Sequence, residues 1–106
     1  MNIAVAVTPK GDMHEIRLPD PDDDRAIMRR EIGCQRVDLV AVSLHLDMWV
    51  ASDMRGRAGN VLATALACSH GGRSPYFGTV ILCGRDGEDN PADFTAEQAR
   101  ALFARL

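Results

Sequence analysis

Residues 48–84, MWVASDMRGRAGNVLATALACSHGGRSPYFGTVILCG, hold a strand, a glycine-rich turn, a helix of small residues and a second strand in one run. In the turn over residues 53–59, Gly56 and Gly59 admit backbone angles closed to other residues, so the chain reverses there. Asn60 is placed to cap the helix that follows. The inner face of that helix reads as Val61, Leu62, Ala65 and Leu66, with Ala63, Ala67 and Cys68 small enough for close packing, and Gly71-Gly72 stops it. Residues 77–84, FGTVILCG, then form a strand that is apolar on both faces.

Upstream, Ile3, Val5 and Val7 alternate with smaller residues. After the turn Pro9-Lys10-Gly11-Asp12, His14, Ile16 and Leu18 alternate with Met13, Glu15 and Arg17, which predicts a β-hairpin. Asp20 before Pro21 predicts a helix start, because the carboxylate caps free N–H groups and Asp22, Asp23 and Asp24 lie where the helix dipole favours anions. That helix carries an apolar stripe of Ile27, Met28 and Ile32, closes on Arg29 and Arg30, and ends at Gly33. Residues 37–44, VDLVAVSL, are apolar on both alternating faces, which predicts a central strand covered on two sides. The strand around residues 48–52 is short, and either it or the hairpin is expected to leave an unpaired edge.

Downstream lies a polar loop over residues 85–93. Thr95 and Gln98 then make a capping-box pattern before a helix with the apolar stripe Ala99, Leu102, Phe103 and Leu106. The predicted order is β-β-α-β-β-α-β-α. It describes a single small α+β domain over residues 1–106, with a mixed or antiparallel sheet packed by helices.

The chain has 106 residues, 46% of them hydrophobic, which suits one core. A net charge of -3 is too mild for a basic nucleic-acid-binding face, so no nucleic-acid partner is expected. No apolar run approaches the roughly 20 residues that span a bilayer, and residues 1–7 lack a signal peptide's basic start. A cytoplasmic protein without a membrane partner is expected. Cys34, Cys68 and Cys83 are odd in number and form no CxxC pair, which predicts reduced thiols, with Cys68 and Cys83 as small buried hydrophobes.

The GD turn at residues 11–12, the acidic helix start, GCQRVDLVAV, DMWVASDMRGRAGNVLATALA, FGTVILCG and the terminal TAEQ helix resemble the domain of unknown function 3846 family. Its members are small proteins of bacteria, phages and mobile elements. The resemblance covers most of the chain, and its most specific part is Asp53 and Gly56 before Gly59-Asn60 and Ala63-Thr64, with Gly78 opening the late strand. It implies an accessory gene of phage or mobile-element type and assigns no site.

Arg55, Gly56, Arg57, Gly59 and Asn60 precede a helix, where backbone N–H groups and two guanidinium groups suit a phosphate or carboxylate. The run matches neither GxxxxGK[ST] nor GxGxxG, and a solvated turn with Asn60 as a plain cap explains it equally well. Cys68 and His70 stand two apart on a helix and point to nearly opposite faces, a poor arrangement for nucleophile and base. His14, His45, His70 and Asp47 lack metal-ligand spacing, and the acidic runs 20–24 and 86–89 miss the calcium-loop register. No catalytic residue, metal or cofactor is expected.

Trp49 is expected to share one surface patch with Tyr76 and Phe77 if their strands pair, rimmed by Arg55, Arg57 and Arg73, and the turn from Asp53 to Asn60 belongs to the same candidate surface. The leading expectation is a non-enzymatic accessory protein that binds another protein, with modulation of a host factor as a conceivable role and a homodimer as a reasonable assembly. The second is a small anion- or nucleotide-binding module that uses the turn before Asn60.

Overall fold

The computed structural model describes residues 2–106. Each predicted start signal is met locally. Asp20 accepts hydrogen bonds from the Asp22 and Asp23 N–H groups at 3.0 and 3.1 Å and begins α1, Pro21–Ile32. Gly33 ends that helix in the left-handed region at φ 78°, an angle a β-carbon makes costly. Thr95 and Gln98 form the reciprocal capping box of α3, Ala96–Ala104.

The strands are β1 (Asn2–Val7), β2 (Met13–Leu18), β3 (Val37–Ser43), β4 (Leu46–Ala51), β5 (Val80–Arg85) and the two-residue β6 (Pro91–Ala92). All pair antiparallel, in the order β2-β1-β5-β4-β3, with β6 alongside β5. Helix α2, Val61–Ser69, lies between β4 and β5 in the chain. The α+β class and the element order agree with the sequence reading, with β6 as an addition.

Successive residues of β4 and β5 point to opposite faces, which makes two cores. On one face Val5, Val7, Met48, Val50, Val80 and Leu82 pack with Leu66 and Ala67 of α2 and Ala99 of α3. On the other, Ala4, Ala6, Ala51 and Ile81 pack with Met28 and Ile32 of α1. Helix α1 therefore covers one side of the sheet alone, while α2 and α3 share the opposite side.

Three expectations need correction. Strand β3 is the edge of the sheet rather than its centre, and its residues are mostly exposed or half-buried. Of the two strands expected to offer an unpaired edge, the hairpin strand β2 is the one that does, because β4 pairs with both β3 and β5. The α2 inner face is Ala63, Leu66 and Ala67, whereas Val61 is 75% exposed, so the helix is rotated from the predicted stripe. Cys68 follows that rotation and is exposed instead of buried.

Asn60 sets the rotation of α2. It is 1% exposed, its amide donates to the Val7 and Gly78 carbonyls at 3.0 and 2.9 Å, and its side-chain oxygen accepts from the Ala63 N–H at 3.0 Å. One side chain thus caps the helix and ties it to β1 and to the approach to β5. A buried amide with all its partners made contributes specificity at little net cost.

Candidate functional site

The glycine-rich turn lies at the C-terminal end of α1, and its charges are engaged within the protein. Arg57 donates to the Ile32 carbonyl at 3.2 Å, to the Gly33 carbonyl at 2.9 Å and to the Asp53 carbonyl at 3.1 Å. Those helix-end carbonyls lack intrahelical partners and carry partial negative charge, so a guanidinium suits them. Arg55 grips Asp53 through Nε at 3.0 Å and Nη2 at 2.9 Å. That hydrogen bonding holds the Asp53 carboxyl down at about 2.

Gly56 sits at the turn's tip with φ 74°. Gly59 forms a bridge with Phe77, and the Gly78 N–H donates to the Ala58 carbonyl at 2.7 Å, so the turn is laced to the approach to β5. Gly78 combines φ 85° with Arg57 so close that a β-carbon would stand 2.9 Å from its Cδ.

Trp49 and Tyr76 are not brought together. Trp49 is half-buried on the α1 face, with the Arg25 guanidinium 5.6 Å from its ring centroid, a cation–π distance. Tyr76 packs on the opposite core and accepts the Asn60 N–H on its carbonyl at 2.8 Å. The expected joint patch is therefore divided by the sheet itself, because Trp49 and its neighbour Met48 alternate between faces. Of the sequence-singled residues, Asp53, Arg55, Gly56, Arg57, Gly59 and Asn60 form one contiguous turn, and Trp49 and Tyr76 stand apart from each other.

The histidines are separately employed: His14 pairs with Glu31, His45 approaches the Arg85 carbonyl at 3.4 Å, and His70 caps the end of α2. Among the described residues no group of three His, Cys, Asp or Glu is placed to hold a metal.

Two features escaped the sequence reading. The first is the outer edge of β3. The Ser52 N–H donates to the Arg36 carbonyl, and the register carries on to Asp38 opposite Val50 and Val40 opposite Met48. Antiparallel ladders alternate hydrogen-bonded with non-hydrogen-bonded pairs. The backbone groups of Asp38 and Val40 therefore face β4, and those of Val37, Leu39 and Ala41 face outward. Leu39 is 48% exposed there, and Leu44 at the β3–β4 turn is 79% exposed.

The second feature is a cleft of about 360 Å3 between the first turns of α1 and the sheet. Ala4, Leu18, Met28 and Trp49 give it apolar walls, and Asp24, Asp47, Cys83 and Arg85 also reach it. Burial raises the pKa of Asp47 above the usual carboxylate range, against the pull of Arg85, and burial raises Asp24 as well. Burial, reinforced by the charges of Asp47 and Asp24, pushes the Cys83 thiol up to about 12. A thiol so far from ionisation at neutral pH is a poor nucleophile.

No family model, curated protein or solved structure matches the chain. The fold and geometry define a small α+β domain with an open sheet edge and a walled cleft, and no helix is long and apolar enough to cross a membrane. The functional reading rests on the open edge.

Proposed function

We propose that this chain is a non-enzymatic accessory protein that binds another protein by pairing a partner strand with the outer edge of β3. The observation that carries the reading is the contrast between the two sheet edges. Strand β2, MHEIRL, has three ionisable residues among its six. Strand β3, VDLVAVS, has the single charge of Asp38 among seven residues and no proline. Lysine, proline and charge are what guard edges against intermolecular pairing, so an edge with one charge and no lysine or proline is suited to receive a strand. Exposed Leu39 and Leu44 supply apolar contact beside the main-chain bonds.

The phage or mobile-element setting is what the resemblance of most of the chain to the domain of unknown function 3846 family implies, and a host factor is the partner such a setting suggests. Recognition of a free anion at the turn draws less support, since Arg55 and Arg57 are both committed to internal acceptors.

Leu39→Pro tests the edge directly. It removes an outward N–H and one exposed side chain while leaving the β4 ladder intact, because proline is tolerated where the N–H faces away from the sheet. Affinity capture from a host lysate should recover the same partner with wild type and with Arg55→Ala, and lose it with Leu39→Pro. Equal recovery by all three would refute the edge. Light scattering over a concentration series shows whether a second copy of the chain fills it.

A further inference from the structure

Beside the start of β3 the surface holds an open hollow of about 480 Å3, bordered by Arg25, Arg29, Arg36, Val37, Asp38 and Ser52. Its rim carries three arginines against the one carboxylate of Asp38, in a chain whose net charge is -3. Arg25 and Arg36 are exposed and Arg29 is half-buried, so a ligand can reach all three. The side chains of Arg29 and Arg36 make neither a hydrogen bond nor an ion pair among the described residues, and that of Arg25 lies over the Trp49 ring without a carboxylate partner.

One exposed arginine without a partner is ordinary, but three around one hollow repel one another. Arg25 and Arg29 stand four residues apart on α1, a like-charge spacing that weakens a helix. Capping does not account for the cluster, because Arg57 already occupies the Ile32 and Gly33 carbonyls at the end of that helix. An anionic group seated in the hollow relieves the repulsion, and a carboxylate matches the donor fork of a guanidinium with paired hydrogen bonds.

The hollow adjoins the open edge through Val37, which borders it and packs on the α1 side of the sheet. Directly opposed residues of an antiparallel pair share a face, so a partner residue opposite Val37 projects toward the α1 side, where Arg25 and Arg29 stand. The partner's following residues run past Arg36. Every pair in this sheet is antiparallel, and a partner that continues the pattern brings its C-terminal end to the start of β3. Asp38 projects to the opposite face by the alternation of the strand.

We propose that the strand received by β3 is acidic at its C-terminal end, with its carboxylates seated among Arg25, Arg29 and Arg36. This inference rests on the strand-pairing reading and adds the partner's chemistry: main-chain bonds hold the strand, and the arginines select it by charge.

The test is calorimetric titration of the full chain with capped peptides that share a body of alternating valine and threonine. They end in two glutamates, two glutamines or two lysines, and a fourth carries its glutamates at the N-terminal end. The peptide ending in glutamates should bind at least fivefold tighter than the glutamine peptide, with the lysine peptide weakest, and the preference should shrink as salt rises. The N-terminal glutamates should give no such gain. Arg29→Gln combined with Arg36→Gln should remove the preference and leave the affinity for the glutamine peptide unchanged. Equal binding of all four peptides, lost with Leu39→Pro, would overturn the acidic partner while strand pairing stands. A glutamate preference that Leu39→Pro does not weaken would overturn strand pairing, and with it this inference, in favour of a free-standing anion site. Binding of none of the peptides would overturn both.

Discussion

Asn60 and Asp47 are the polar residues that lie in the core among the described residues, at 1% and 8% exposure, and they differ in what surrounds them. Asn60 sits where the α2 and α3 side meets the sheet and has its amide donors and its acceptor engaged. Asp47 sits on the α1 side and keeps a buried oxygen without a hydrogen bond. One side of the sheet is closed by two helices and holds its polar group for structure. The other is covered by one helix, which leaves a cleft at one end and the Leu39 strip at the edge. The first side is closed for stability, and the Leu39 strip beside the proposed strand-pairing edge lies on the second.

The steepest way to test that division is Leu66→Ala. Leu66 is fully buried in α2, and its truncation should cost roughly 2–5 kcal/mol in denaturant unfolding, as large-to-small core changes do. Asn60→Ala comes next, at roughly 2–4 kcal/mol by the same measurement, because it removes a helix cap and strands two carbonyls.

Asp47→Asn should behave differently from Asn60→Ala and show its effect through pH. The folded pKa of Asp47 is raised, so the folded state holds that proton more tightly than the unfolded state. Its contribution is most favourable below the ordinary carboxylate pKa and falls as pH rises through the raised folded value. Wild type should therefore lose stability relative to Asp47→Asn as pH rises from the ordinary carboxylate pKa through the raised folded value. A flat difference would place Asp47 in a satisfied environment like that of Asn60.

Asp53 gives the opposite sign and a smaller effect. Its pKa is lowered to about 2 by the Arg55 hydrogen bonds, so its contribution is present above the ordinary carboxylate pKa and is lost as pH falls toward about 2. Carboxyl NMR should place the Asp53 midpoint well below that of Asp47. Arg55→Ala should raise the Asp53 midpoint and lower the unfolding midpoint at pH 7 only slightly, since both side chains are solvent-exposed.

The helix boundaries were legible because their signals are local: Asp20-Pro21, Gly33, Asn60 and Thr95 with Gln98 act within one turn of themselves. Strand placement was less so. VDLVAVS is apolar on both faces, as a central strand is, but pairing order depends on the whole chain, and the order puts β3 outermost. The α2 stripe was misplaced because its apolar residues nearly surround the helix, and Asn60, anchored to β1 and the approach to β5, decides the rotation.

The cleft was illegible for a related reason. Asp24 reads as one more acid at a helix start, Asp47 as a carboxylate without metal-ligand spacing and Arg85 as the beginning of a loop. They meet only when β4, β5 and α1 pack together. The turn at residues 53–60 drew attention through its charges, and what spacing could not show is that Arg57 spends its donors on the end of α1.

The open edge of β3 is most directly tested by amide hydrogen exchange along that strand, in dilute free protein and again with the captured partner at saturation. In the free protein Asp38 and Val40 should be protected while Val37, Leu39 and Ala41 exchange rapidly, and the partner should slow those three at least tenfold. Uniform protection of all five in the dilute free protein, or no slowing in the complex, would contradict strand pairing at this edge.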